Sequence, residues 1–281
     1  MSPPLGAHVS IAGGMSRAIE RGTDLECEAI QVFVKNASQW QGKPLTTEDV
    51  DTFRQAHSKS QIGPLVAHAT YLINLAADKP ENLVKSRAAL SDELERCHRL
   101  GIPGLVVHPG AHLGAGIDAG LELIAASLSE VLAALPDNQT RVLLENTAGQ
   151  GTLVGFRLQH LAKIRELTSQ SSRIGICVDT CHAFAAGYAL HDPIGYAEFL
   201  DTITELFGPA EPSCFHLNDS QYEMGAKRDR HANLGQGEMP LEVFERLLHE
   251  PTFEQVPMIL ETPMGDESAG HRRDLELLRS L

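Results

Sequence analysis

The stretch IGICVDTCHAFAAG, residues 174–187, decides how the rest of the chain is read. Its apolar run from Ile174 to Val178 stops at Asp179, and His182 follows three residues later. A short apolar run that does not alternate with polar residues is the pattern of a strand buried on both faces. The carboxylate that ends it has two readings, as the cap of a following helix or as part of a metal site. Working outward, the same kind of run recurs in LGAHVS (5–10), AIQVFV (29–34), PLVAHA (64–69), GLVVHP (104–109), RVLLEN (141–146), SCFHLND (213–219) and VPMILET (256–262). Amphipathic segments such as NLVKSRAALSDELERCHRLG and LEVFERLLHE lie between them, with Gly101 placed as a helix C-cap. Eight strand-plus-helix units in 281 residues predict an α/β fold, a (β/α)8 TIM barrel formed by one domain over 1–281. A doubly wound open sheet is the alternative.

Composition bounds the function. The chain is 42% hydrophobic without low-complexity tracts, and no apolar run approaches the ~20 residues of a membrane span. The N-terminus MSPPLGAHVSIAGG reads as no signal peptide, and five cysteines without framework spacing suit a reducing, cytoplasmic setting. A net charge of −14 argues against nucleic acid unless bound cations reverse the local sum.

The ends of the expected strands carry the chemistry. Strand 3 ends in His68, strand 4 in His108, strand 5 in Glu145, strand 6 in Asp179, strand 7 in His216 and strand 8 in Glu261. A barrel gathers these C-terminal ends on the face where barrel active sites lie. One such residue is ordinarily a rim or capping group. Six in register would bury several carboxylates and imidazoles together, which needs cations between them. His182 and the loop KRDRHANLGQG add to the set, because Asp229 and His231 point the same way if that loop is extended. Five histidines and four carboxylates exceed the needs of one ion. They suit a cluster of three if one carboxylate bridges, with Zn2+ favoured and Mn2+ or Fe2+ able to substitute. Cys177 and Cys181 are read as buried apolar residues outside the set.

The motifs GAHVSIAGG, FVKNASQW, HATYLINL, HPGAH, LENTAGQG, VDTCHAFAAGY, HLNDS, RDRHANLGQG and LETP occur in this order, and from Gly6 to Pro263 the chain resembles the bacterial endonuclease IV family of abasic-site endonucleases. The resemblance implies a TIM barrel and three zinc ions. His68, His108 and Glu145 would hold the first, Glu145, Asp179, His216 and Glu261 the second, and His182, Asp229 and His231 the third. It implies hydrolysis of the phosphodiester 5′ to an abasic site in duplex DNA, leaving a 3′ hydroxyl and a 5′-deoxyribose phosphate. A hydroxide bridging two metals would be the nucleophile, and Glu145, Asp179 and Glu261 would be the catalytic carboxylates. Trimming of blocked 3′ ends would be a side activity. One position departs from the family: where members often carry an arginine before the Gln-Trp pair, this chain has Ser38.

Further expectations follow for DNA. Three divalent ions outweigh the four carboxylates of the site, so the acidity is assigned to outer helices, for example DELE and ETPMGDE. Lys35, Asn36, Gln39, Lys227, Arg228 and Arg230 are expected to contact DNA, with Tyr71 wedging into the gap left by the missing base. An abasic nucleotide is cheap to flip, so little sequence preference is expected. A monomer suffices, working in the bacterial cytosol at the nucleoid. Two rivals remain. A sugar isomerase or epimerase on the same barrel would have no use for His182, Asp229 and His231. A metal-stabilised binding protein would leave no open coordination position.

Overall fold

In the computed structural model, which describes residues 2–281, the eight apolar runs form one closed parallel barrel. Its strands are β1 (Leu5–His8), β2 (Ala29–Phe33), β3 (Leu65–His68), β4 (Gly104–Val107), β5 (Arg141–Glu145), β6 (Ile174–Asp179), β7 (Cys214–His216) and β10 (Met258–Leu260). A separate antiparallel ribbon, β8 (Asp219–Ser220) with β9 (His231–Ala232), rises from the loop after β7. The helices are α1 (Ser16–Asp24), α2 (Thr47–Ser58), α3 (Pro80–Leu100), α4 (Ile117–Ala133), α5 (Leu158–Leu167), α6 (Thr180–Ala186), α7 (Pro193–Phe207), α8 (Glu242–Leu248) and α9 (Ala269–Ser280). The barrel, not the open sheet, is the architecture. His108 and Glu261 lie one residue beyond their strands rather than at the ends.

The helices follow local rules. Helix α2 opens with a capping box in which Thr46 and Asp49 bond each other's backbone N–H groups. Helix α3 closes on Gly101 at φ 81°, a left-handed position that glycine adopts without strain. Among the described residues no helix is long and apolar enough to cross a membrane.

The barrel interior sets the height of the site. Ala29, Val66, Val106, Leu143, Cys177, Cys214 and Ile259 form a small apolar floor, separate from the larger core between strands and helices. Inward-facing residues recur every second position along a strand. Two residues on from each floor residue stand Gln31, His68, His108, Glu145, Asp179, His216 and Glu261. The polar ring is therefore the next inward layer of the barrel, fixed by the same strand register that packs the floor.

Candidate metal centre

Glu145 is the hub of the ring. Its side chain is fully buried, with Oε2 3.2 Å from His68 Nε2 and 3.0 Å from His108 Nε2. Oε1 lies 3.1 Å from His216 Nδ1 and 3.2 Å from His182 Nδ1. Burial pushes the Glu145 carboxyl up, but His108 and His216, with hydrogen bonds from His108 and His182, outweigh it and hold it well below the usual carboxylate range. Glu261 Oε2 lies 3.3 Å from His216 Nδ1 on the other side.

Asp179 caps a helix and also faces the ring. One carboxylate oxygen accepts from His182 N at 2.7 Å and caps α6. The other accepts from Asn218 Nδ2 at 2.6 Å and lies 3.9 Å from His216 Nδ1 and 3.6 Å from His231 Nε2. The cap turns the chain so that His182, on the first turn of α6, faces the ring. Asn146 fixes the turn through Asp179 N at 2.7 Å and Asp179 O at 3.0 Å.

The loop residues arrive by a different route. His231 belongs to β9, opposite Ser220, and Asp229 lies two residues before it in the loop that leads into the ribbon. Asp229 Oδ1 lies 3.2 Å from His182 Nε2 and 3.4 Å from His231 Nε2. The ribbon is clamped by Asp219, whose buried carboxylate accepts from Ser220 N at 2.7 Å, Gly237 N at 2.9 Å and Met239 N at 3.0 Å. A side chain at Gly237 would collide with Ser220 O and the Asp219 carboxylate.

The donor chemistry fits zinc. Three groups bring their ligand atoms within 4.8 Å of one another: His68, His108 and Glu145; Glu145, Asp179, His216 and Glu261; and His182, Asp229 and His231. The buried Nε2 atoms of His182 and His231 have no hydrogen-bond partner, although Asp229 Oδ1 is close to both. Ring nitrogens converging on one carboxylate in this way suit a cation between them. The opposite ring nitrogens are engaged by backbone. His68 Nδ1–H donates to Ala69 O at 2.7 Å, His182 Nδ1–H to Asn146 O at 2.9 Å and His231 Nδ1–H to Glu261 O at 3.2 Å. Each leaves Nε2 as the ligand atom, as such bonds do at metal sites.

Burial lowers the affinity of His68, His182 and His216 for protons, but their carboxylate neighbours outweigh it and raise all three. A cation entering among them displaces those protons. The ligand atoms of Cys177, Cys214 and His216, and those of Asp179, Cys181 and His231, also lie within 4.8 Å of one another. Burial pushes the Cys181 thiol up to about 12 and Cys177 well above its usual range. Burial raises Cys214 too, but hydrogen bonds to Cys177 and His216 bring it to about 7.

The other expected contacts divide. A cavity of about 370 Å³ over the ring is lined by Tyr71, Arg230, His108, Asp229 and their neighbours. Tyr71 is 62% exposed, with its ring 5.2 Å from that of His68. Arg228 is exposed over the Tyr222 ring at 4.7 Å, beside Lys227. Asn36 and Gln39 are exposed, and Asn36 Oδ1 accepts from Ser38 N at 2.9 Å and Ser38 Oγ at 2.7 Å. Lys35 corrects the sequence reading. Its side chain is 2% exposed, and Nζ bonds Trp40 O at 2.8 Å and pairs with Glu93 at 3.1 Å. The buried Glu93 carboxylate needs a cation, so Lys35 points inward rather than to a phosphate. The acidic segments also differ from expectation, since Glu93 of DELE is buried and ETPMGDE lies in the loop after β10, beginning with Glu261 of the ring.

Sequence reasoning missed His8 and Gln31, which complete the ring from β1 and β2. The signal was present as polar residues in runs otherwise apolar. A larger cavity of about 520 Å³ lies at the opposite end of the barrel, around Leu5 and Glu28, where barrels carry stability rather than catalysis.

A family model described as the xylose isomerase-like TIM barrel matches residues 19–281. Probable endonuclease 4 of Chloroflexus aurantiacus is 48% identical over 279 residues, covering 99% of this chain and 98% of that one. The crystal structure of endonuclease IV from Thermus thermophilus aligns at TM-score 0.87 and 33% identity, covering 99% of this chain and 98% of that one. A D-tagatose 3-epimerase-like protein aligns at TM-score 0.73 but 20% identity, covering 99% and 98%, a likeness of fold alone.

Proposed function

The chain belongs to the endonuclease IV family of xylose isomerase-like TIM barrels, and from that premise we propose that it is an abasic-site endonuclease of DNA repair. Its substrate is duplex DNA, cut by hydrolysis 5′ to the lesion to leave a 3′ hydroxyl and a 5′-deoxyribose phosphate. Trimming of blocked 3′ ends belongs to the same reading. The observation that carries it is the convergence of nine donors in three groups, two built on strand ends and sharing Glu145, the third built on α6 and the β8–β9 ribbon. The third group speaks against a sugar epimerase, which has no role for it.

His68, His108 and Glu145 would hold one zinc ion, Glu145, Asp179, His216 and Glu261 a second, and His182, Asp229 and His231 a third. When bound, such ions supply Lewis acidity and lower the pKa of water at neutral pH, with Mn2+ or Fe2+ able to replace zinc. Glu145, Asp179 and Glu261 are the carboxylates nearest the reacting phosphate. Glu145 touches four imidazoles at once and so sets the spacing of two groups. Arg228 and Arg230, with Lys227, are placed to meet backbone phosphates, and Asn36 and Gln39 to meet the strand nearby. Tyr71 stands over His68 and His108, where it can fill the gap left by the missing base. The enzyme acts as a single-domain monomer in the bacterial cytosol at the nucleoid.

The test is incision of a duplex carrying one tetrahydrofuran abasic analogue, which cannot undergo β-elimination. Cleavage to a 3′ hydroxyl that is lost on prolonged chelation and restored by zinc is expected. No cleavage by fully metal-loaded protein would sink the reading.

A further inference from the structure

Gln31 has no polar business in a barrel strand unless it serves the ring. Its side chain is fully buried in β2, between Ile30 and Val32. All of its polar atoms are used. Nε2 donates to Glu261 Oε1 at 2.6 Å, and the same nitrogen lies 3.0 Å from His8 Nδ1. Oε1 lies 2.8 Å from His216 Nε2. The amide has only one sensible orientation, because turning it over would set its oxygen against an oxygen of Glu261.

That orientation dictates the state of His216. An amide oxygen only accepts, so His216 Nε2 keeps its proton and Nδ1 is the nitrogen left to a cation. Nδ1 is the atom that faces Glu145 Oε1 at 3.1 Å and Glu261 Oε2 at 3.3 Å. His68, His182 and His231 are held the other way, with Nδ1–H bonded to backbone carbonyls. A histidine offering Nδ1 among neighbours offering Nε2 needs its own lock, and backbone does not supply it here.

We propose that Gln31 is a positioning residue of the metal centre, which fixes His216 as an Nδ1 ligand and aims the Glu261 carboxylate beside it. The inference rests on the metal-centre reading given under Proposed function and extends it to a residue outside the nine ligands. One side chain sets two ligands of the same ion from β2, a strand that contributes no ligand itself. Such supporting bonds are typically worth about 10–100-fold in metal affinity.

The experiment is long-range 1H–15N correlation of the imidazole nitrogens in zinc-loaded protein, joined to zinc retention against a competing chelator for wild type and Gln31→Met. In wild type, His216 should show a protonated Nε2 and a coordinated Nδ1, while His68, His182 and His231 show the reverse. In Q31M the His216 pattern should be lost, and one zinc equivalent should be retained about 10–100-fold more weakly. A coordinated Nε2 on His216 in wild type would overturn the proposal, as would Q31M with wild-type nitrogen shifts and retention. The wild-type spectrum decides even if Q31M does not fold. Failure of the wild-type chain to hold any metal would overturn the metal-centre reading and this inference together, whereas retained metal with a coordinated His216 Nε2 would remove the inference alone.

Discussion

Glu145 and Asp229 each stand among imidazoles, yet they are held in opposite ways. Glu145 sits at the end of β5, fully buried, with strands on both sides fixing its height. Asp229 sits in a loop, its side chain 40% exposed, and reaches the site because a two-residue ribbon and the Asp219 clamp hold the loop in place. The barrel part of the centre is as rigid as the fold itself. The loop part is conditional on local contacts, and local structures of this kind open at lower free energy than core strands. Two ions would thus be built into the barrel, and the third would be added by a loop that can be perturbed alone.

The sharpest way to break this contrast is Glu145→Gln. It removes the carboxylate shared by two donor groups, so incision should fall by at least about 10³-fold, roughly 4 kcal/mol in barrier. Metal analysis of the same variant should show loss at both barrel sites, whereas Asp229→Asn should lose one equivalent and keep the rest. Replacing Lys35 by Met should destabilise the chain by about 3–5 kcal/mol, because Glu93 stays buried without its cation. Chemical denaturation measures this, and an unchanged midpoint would return Lys35 to the DNA surface. Asp219→Ala touches no ligand but frees the ribbon. It should weaken retention of one ion about 10–100-fold in chelator competition and leave the barrel pair unmoved.

The smallest effect concerns acid stability of the metal-free protein. Burial pushes the Asp229 carboxyl up, but the hydrogen bond and charge of His182, then His231, outweigh it and bring it down to about 2. A carboxyl depressed on folding stabilises above its unfolded value near 4, and that stability is lost as pH falls through about 2. Because the group is partly exposed, about 1 kcal/mol is expected from it. Denaturation of metal-free wild type and D229N from pH 5 to 2 should converge at the acid end. Parallel curves throughout would show that Asp229 is not held by its histidines.

Much of this was legible in the chain because period-two alternation is local. Once the runs are strands, residues two apart face the same side, and the ends His68, Glu145, Asp179 and His216 follow directly. Spacing alone suggested the pair Asp229 and His231, since only His231 lies on a strand. Lys35 was not, since a lysine in a loop looks the same whether it meets solvent or a buried Glu93 from a helix much further along the chain. The Cys177 and Cys214 floor was half legible: spacing placed Cys177 below Asp179, but only strand pairing placed Cys214 opposite it.

By itself the sequence determined the barrel, the types of donor side chain at the strand ends and the order in which they come, because hydrophobic period and residue chemistry are written position by position. Tertiary structure decided what closure and register bring together. Strands β1 and β2 close against β10 and β3, so His8 and Gln31 meet Glu261 and His216 from the far end of the chain. No local pattern contains that meeting, since it depends on the barrel joining its first strand to its last.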